Sequence, residues 1–177
     1  MPEAAGDKSA LHLICGLPGS GKSTLAKEIA REYNAIRFCP DEWIKTIWKE
    51  TAETEGNTFR SNIEQLQWEL AKSILKQGID VIIEWGTWWQ NEREKLRDEA
   101  KSVGAMVRFY YLDAPREVLR ERILERNKLE HPREFHIPES EIDEFLDICF
   151  LSIEIPGQYE LSTYDFVDLR VTQHSQE

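Results

Sequence analysis

A three-layer α/β fold, with a five-stranded parallel sheet between helices, is predicted by three observations. Short apolar runs alternate along the chain with helical patterns, which implies a parallel sheet covered on both faces. A glycine-rich loop stands between the first apolar run and the first helical pattern. The chain has 177 residues, 41% hydrophobic and 31% charged, enough to bury one core without disulfides or a structural metal.

The elements follow in order. Ala10-Leu11-His12-Leu13-Ile14-Cys15 is short, apolar and bounded by Gly16, as a buried parallel strand should be. A helix is expected from Lys22 to Glu32, with Leu25, Ile29 and Ala26 inward. Ile36 to Cys39 reads as the second strand, ending at Pro40-Asp41, and a short helix with Trp43, Ile44, Ile47 and Trp48 on one face follows. Thr51 to Thr58 is polar, contains Gly56 and reads as a loop. Phe59, Ile63, Leu66, Leu70 and Ile74 repeat at helical spacing, up to a stop near Gly78. Asp80 to Glu84 is the third strand, 91–102 a helix that stops at Gly104, and Val107 to Leu112 the fourth strand. Pro115 sits in the first turn of a helix that runs to about Arg126. A polar stretch with Pro132 and Pro138 leads to a helix carrying Ile142, Phe145, Leu146 and Cys149, and Asp165 to Leu169 is the fifth strand. The chain reads as one domain over 1–177, with a helical lid at about 115–138 and frayed ends at 1–8 and 172–177.

Composition narrows the function. No apolar run approaches the roughly 18 residues that cross a bilayer. The first residues carry Glu3 and Asp7 without an apolar stretch, so a cytoplasmic location is expected. Cys15, Cys39 and Cys149 form no CxxC pair, the histidines show no metal-ligand spacing, and buried reduced thiols are expected. The formal net charge of -11 disfavours a nucleic-acid partner, because affinity for a polyanion depends on dense Lys and Arg.

Gly16-x4-Gly21-Lys22-Ser23 matches the phosphate-binding loop pattern, in the strand-to-helix context that such a loop requires. Glycines 16, 19 and 21 let backbone N–H groups converge on phosphate oxygens, and the helix beginning near Lys22 aims its positive end at the same anion. Lys22 is expected on the β and γ phosphates and the Ser23 hydroxyl on Mg²⁺. Contacts to ATP are expected over Gly16, Pro18, Gly19, Ser20, Gly21, Lys22, Ser23 and Thr24. An Asn-Lys-x-Asp guanine-reading motif is absent, so ATP is preferred to GTP, and the small size favours a phosphotransferase over a motor ATPase.

Asp41 follows the second strand, at the sheet edge where ligands gather. There it could take the proton of an attacking hydroxyl, or merely cap the next helix. Glu84 ends the third strand, where it could hold Mg²⁺ through a water or be an ordinary strand-end acid. Arg116, Arg120, Arg122 and Arg126 crowd one helix, with Lys128 and Arg133 beyond, and Arg122 and Arg126 share a face. They could close on a transferring phosphoryl group, or pair with Glu117, Glu121 and Glu125 on a solvated helix.

Taken together, these residues resemble the family of small P-loop kinases that includes phage polynucleotide kinase, chloramphenicol phosphotransferase and zeta toxins. The match is closest to bacterial members called AAA-family ATP-binding proteins or predicted kinases, and it spans roughly 11–169. It is carried by Gly16 to Thr24, Asp41-Glu42-Trp43, Val81 to Gly86 with Trp88 and Arg93, and Tyr111-Leu112-Asp113-Ala114-Pro115 through Arg126-Asn127. The resemblance implies a P-loop NTPase fold like that of nucleoside-monophosphate kinases, and ATP-dependent transfer to a hydroxyl. It also implies Asp41 as the base and Arg122 and Arg126 in the lid. Polynucleotide kinases of this type carry an arginine three residues after the matching Asp, and here that position is Ile44.

The expected acceptor pocket combines Asp41, Trp43, Trp85, Trp88 and Arg93, and its aromatic walls suit a small molecule unless the tryptophans are core. From Glu134 to Leu169 there are ten acids and no Lys or Arg; they either only keep a surface helix soluble, or repel anionic acceptors and so point to a neutral or amine-bearing one. A small-molecule kinase is thus expected; a polynucleotide 5′-hydroxyl kinase and a non-catalytic ATP-dependent switch are the alternatives.

Overall fold

The computed structural model describes residues 8–47, 56–128 and 136–172. Its elements are β1 (Ala10–Gly16), α1 (Lys22–Tyr33), β2 (Ile36–Phe38), α2 (Pro40–Ile47), α3 (Gly56–Leu75), β3 (Val81–Gly86), α4 (Gln90–Ser102), β4 (Met106–Asp113), α5 (Arg116–Lys128), α6 (Ile142–Ser152), α7 (Gln158–Leu161) and β5 (Phe166–Val171). All strands pair in parallel, in the order β2-β3-β1-β4-β5. The order follows from burial. Every residue of β1 is buried, so it takes the centre, whereas the three-residue β2 and the largely exposed β5 take the edges.

One sheet face packs on α1 through Ile14, Leu25, Ala26, Ile29 and Ile82. The other packs on α3 and α4, with Leu13, Trp68, Ala71, Leu75, Leu96 and Ala100 together in the core. Each large apolar side chain removed from water there contributes about 1.5–3 kcal/mol. A third cluster joins Leu17 of the loop after β1 to Leu119 and Ile123 of α5 and to Ile142, Leu146 and Cys149 of α6. This cluster seats α5 and α6 beside the glycine-rich loop.

Several expectations are corrected. The helix α3 begins at Gly56, inside the expected loop, and its buried face is Ile63, Gln67, Trp68, Ala71 and Leu75, while Leu66 and Leu70 are exposed. Periodicity in large aliphatics alone misplaced that face, because Ala71 and Gln67 also turn inward. On α2, Ile44 is buried and Trp43 half-buried but Ile47 is exposed, and Trp48 lies outside the described residues. Pro115 precedes α5 rather than lying in its first turn, and its carbonyl accepts from the Leu119 N–H. The short helix α7 was not foreseen. All three cysteines are free and buried. Among the described residues, no helix is long and apolar enough to cross a membrane.

Candidate active site

The loop from β1 to α1 is shaped by its glycines. A Cβ on Gly16 would stand 2.6 Å from Ser20 Oγ and 2.7 Å from the Leu112 carbonyl oxygen, so only glycine fits between β4 and the loop. Gly21 precedes α1 with φ 101°, a left-handed conformation that other residues adopt only with strain, and its carbonyl accepts from the Thr24 and Leu25 N–H groups. Lys22 folds back over the loop and donates to the Leu17 carbonyl at 2.9 Å. Burial holds its ammonium below the usual lysine range, opposed by the charges of Glu84 and Asp41. Both acids therefore lie within electrostatic reach of Lys22, and Arg126 acts on it with the opposite sign.

Ser23 donates to Glu84 Oε1 at 3.4 Å. The Glu84 side chain is almost wholly buried, and Oε2 faces Arg37 at 3.7 Å, an ion pair too long for a hydrogen bond. Burial pushes the Glu84 carboxyl up, and Arg37 draws it partly back. Among the described residues, Ser20 Oγ is buried without a hydrogen-bond partner. An under-satisfied carboxylate beside a serine hydroxyl, next to an orphaned hydroxyl in a glycine cradle, suits a phosphate chain with a hard cation.

Asp41 lies in the first turn of α2. The helix starts at Pro40, so Cys39 precedes it and Asp41 is not its N-cap. The carboxylate pairs with Arg60 of α3, a residue that the sequence pattern did not single out. Arg60 also pairs with Glu64 at 2.8 Å and donates to the Trp85 carbonyl at 3.3 Å. The spacing of Arg60 and Glu64, four apart on a helix, was the available signal.

The tryptophans divide. Trp43 and Trp85 are half-buried and pack against the main core, and the Trp85 indole donates to Gln67 at 2.9 Å. Trp88 donates to the Gly16 carbonyl at 3.2 Å, which ties the loop after β3 to the phosphate loop.

The helix α5 brings Arg122 to the Gly19 carbonyl at 3.1 Å. Arg116 instead pairs with Asp143 and Asp147, and Arg120 with Asp143 and Glu139. These two arginines fasten α5 to the helix after it, through acids of α6 and the turn before it rather than through the glutamates of α5. Lys128 does pair with Glu125, at 2.6 Å, while Arg133 lies outside the described residues.

A model of the AAA domain matches residues 11–150. The chain belongs to the AAA domain family. No curated protein matches it closely enough to count as a relative. Among solved structures, this AAA domain is similar to Chaetomium thermophilum Kti12 in complex with ADP-AlF3, at 17% identity and TM-score 0.66, over 91% of this chain and 88% of that one. A sugar kinase from Janibacter sp. HTCC2649 matches at 20% identity and TM-score 0.61, over 92% and 85%. A chain of the Pnkp1/Rnl/Hen1 RNA repair complex matches at 23% identity and TM-score 0.64, over 93% of this chain and 49% of that one. At such identities the likeness is one of fold: a five-stranded parallel α/β architecture of the P-loop kinase kind.

Within this AAA domain one expected pocket residue is corrected. Arg93 is fully buried, bound to both Glu160 carboxylate oxygens at 2.7 and 2.9 Å, and donates to the Thr87 and Trp88 carbonyls at 3.1 and 2.8 Å. All of its guanidinium nitrogens are engaged inside the protein, so it braces the loop after β3 and does not line a pocket. That loop needs a brace, since Thr87 holds φ 44°, a conformation costing a β-branched residue roughly 1–3 kcal/mol. Ile44 is buried as well, so the position three after Asp41 points into the core.

Proposed function

We propose that this chain is a phosphotransferase that moves the γ-phosphate of ATP to a hydroxyl of a small-molecule acceptor. The carrying observation is the convergence on the phosphate loop: Lys22 folds back over it, Glu84 of β3 meets Ser23 at 3.4 Å, and Arg122 of α5 reaches the Gly19 carbonyl at 3.1 Å. Lys22 and the loop N–H groups would bind the β and γ phosphates. Ser23 and, through a water, Glu84 would hold Mg²⁺, which when bound neutralises charge on the phosphates. Asp41 takes the proton of the acceptor hydroxyl as its oxygen bonds to phosphorus and the bond to ADP breaks. Arg122, which reaches the loop from α5, and Arg126, one turn further along the same helix, would balance charge on the transferred group.

The test is transfer of labelled γ-phosphate to a panel of neutral polyols, amine-bearing alcohols, nucleosides and a 5′-hydroxyl oligonucleotide. Label in a small molecule is expected. Label only in inorganic phosphate, at a rate no acceptor changes, would indicate a switch, and label only in the oligonucleotide a polynucleotide kinase. Asp41→Asn should retain ATP binding but slow transfer about 10²-fold or more, since an amide cannot accept the proton.

A further inference from the structure

The acceptor side holds a guanidinium whose three nitrogens are divided among three elements. Arg60 of α3 gives Nη1 to Asp41 Oδ1 on α2, Nε to Glu64 Oε1 one turn along its own helix at 2.8 Å, and Nη2 to the Trp85 carbonyl of β3 at 3.3 Å. Trp85 follows Glu84 directly, so Arg60 links the proposed base to the strand that carries the proposed metal acid. The other arginine near this turn, Arg37, is engaged elsewhere, by Glu42 and Glu84. A carboxylate that gives one oxygen to a guanidinium keeps the second as an acceptor, and the rigid fork fixes where that oxygen points.

We propose that Arg60 is a positioning residue for phosphoryl transfer: it holds the Asp41 carboxylate in the orientation that receives the acceptor's proton, and it does not bind an anionic group on the acceptor. The inference rests on Asp41 being the base. It follows from charge and occupancy: three of the five guanidinium N–H donors are already given to two carboxylates and a carbonyl, and the two negative charges outweigh the one positive charge, which disfavours a third anion. Glu64 makes the arrangement durable by anchoring Nε, so that Arg60 does not swing away with Asp41. The carboxyl of Glu64 is pushed up by burial and drawn back by Arg60, consistent with a pair partly withdrawn from water.

A double-mutant cycle with a steady-state split tests this. Arg60→Met should lower kcat about 10- to 100-fold, the scale of a small misplacement of a reacting group, with the KM values for ATP and acceptor nearly unchanged. In an Asp41→Asn background the same substitution should cost nothing further, because there is no longer a base to orient. Arg60→Lys, which keeps charge but not the fork, should fall between wild type and Arg60→Met, and it replaces Arg60→Met in the cycle if that variant loses thermal stabilisation by ATP. Equal losses in both backgrounds would make Arg60 a structural residue and overturn the proposal. A rise in KM confined to phosphorylated or carboxylated acceptors would make it an acceptor anchor and also overturn it. If Asp41→Asn transfers like wild type, or wild type transfers to nothing, the base or the kinase reading itself has failed and the proposal fails with it. Those outcomes show before any Arg60 variant is measured.

Discussion

Lys22 sits where its surroundings pull in opposite directions: burial disfavours its charge, and Glu84 and Asp41 favour it. The bond to the Leu17 carbonyl satisfies one donor and leaves the ammonium two more. Lys22→Ala should leave the fold intact, abolish measurable transfer and shrink the rise in melting temperature given by ATP with Mg²⁺; calorimetry with and without nucleotide checks this. Glu92 shows a similar opposition, in which burial wins over the neighbouring cations. Burial, then Glu64, push its carboxyl up to about 7, with Arg93 and Arg60 opposing. A carboxyl raised on folding stabilises the protein while protonated, and that contribution is lost as pH rises from the ordinary Glu range through about 7. Glu92→Gln should therefore raise the melting temperature at pH 8 by roughly 2–6 °C and change little at pH 4, as thermal scans at the two values will show.

At the scale of elements, the site depends on how the loop after β3 is held. Thr87 is strained, Cys15 donates to its carbonyl at 3.2 Å, and Arg93 grips Thr87 and Trp88 while Glu160 of α7 grips Arg93. A four-residue helix far along the chain thus fixes a loop that touches Gly16. Breaking one side of a buried pair leaves an uncompensated charge, so Arg93→Met should cost about 3–5 kcal/mol in urea denaturation. Arg93→Met with Glu160→Leu should recover most of that loss, because no charge then remains buried. A surface pair would show neither the large loss nor the recovery.

Across the whole molecule, six of the ten acids between Glu134 and Leu169 meet a cation at short range, and Glu134 lies outside the described residues. Glu139, Asp143 and Asp147 face Arg116 and Arg120, Glu160 faces Arg93, Asp165 faces Lys101 and Asp168 faces Arg170. Glu154 accepts from the first N–H of α4 at 2.6 Å. Pairing with these five cations halves the net charge of the stretch and weakens its steering of cationic acceptors. The KM of an amine-bearing acceptor should change by less than about twofold between low and high salt, since paired charges leave little field to screen. A steep salt dependence in the transfer assay would restore the steering argument.

Features that rest on local pattern are legible along the chain. Five apolar runs gave five parallel strands, and Gly16, Gly21, Lys22 and Ser23 announced a phosphate cradle, since a loop of that curvature needs those residues in that order. The places of Asp41, just beyond β2, and of Glu84, two residues before β3 ends, were legible for the same reason: local pattern fixes which edge of the sheet a residue approaches. The partners of the arginines, by contrast, come from distant elements and emerge with the packed fold. Arg93 lies in the same stretch as Trp88 and reads as pocket, yet Glu160, 67 residues later, draws it into the core. Arg60 reads as helix surface, yet α2 brings Asp41 to it. The inward face of α3 was misplaced likewise, because Gln67 is buried only where β3 offers the Trp85 indole as a partner. A long charged or polar side chain carries no periodic sign of its partner: whether it meets water, a ligand or a buried counter-charge is set by elements that approach from elsewhere in the chain.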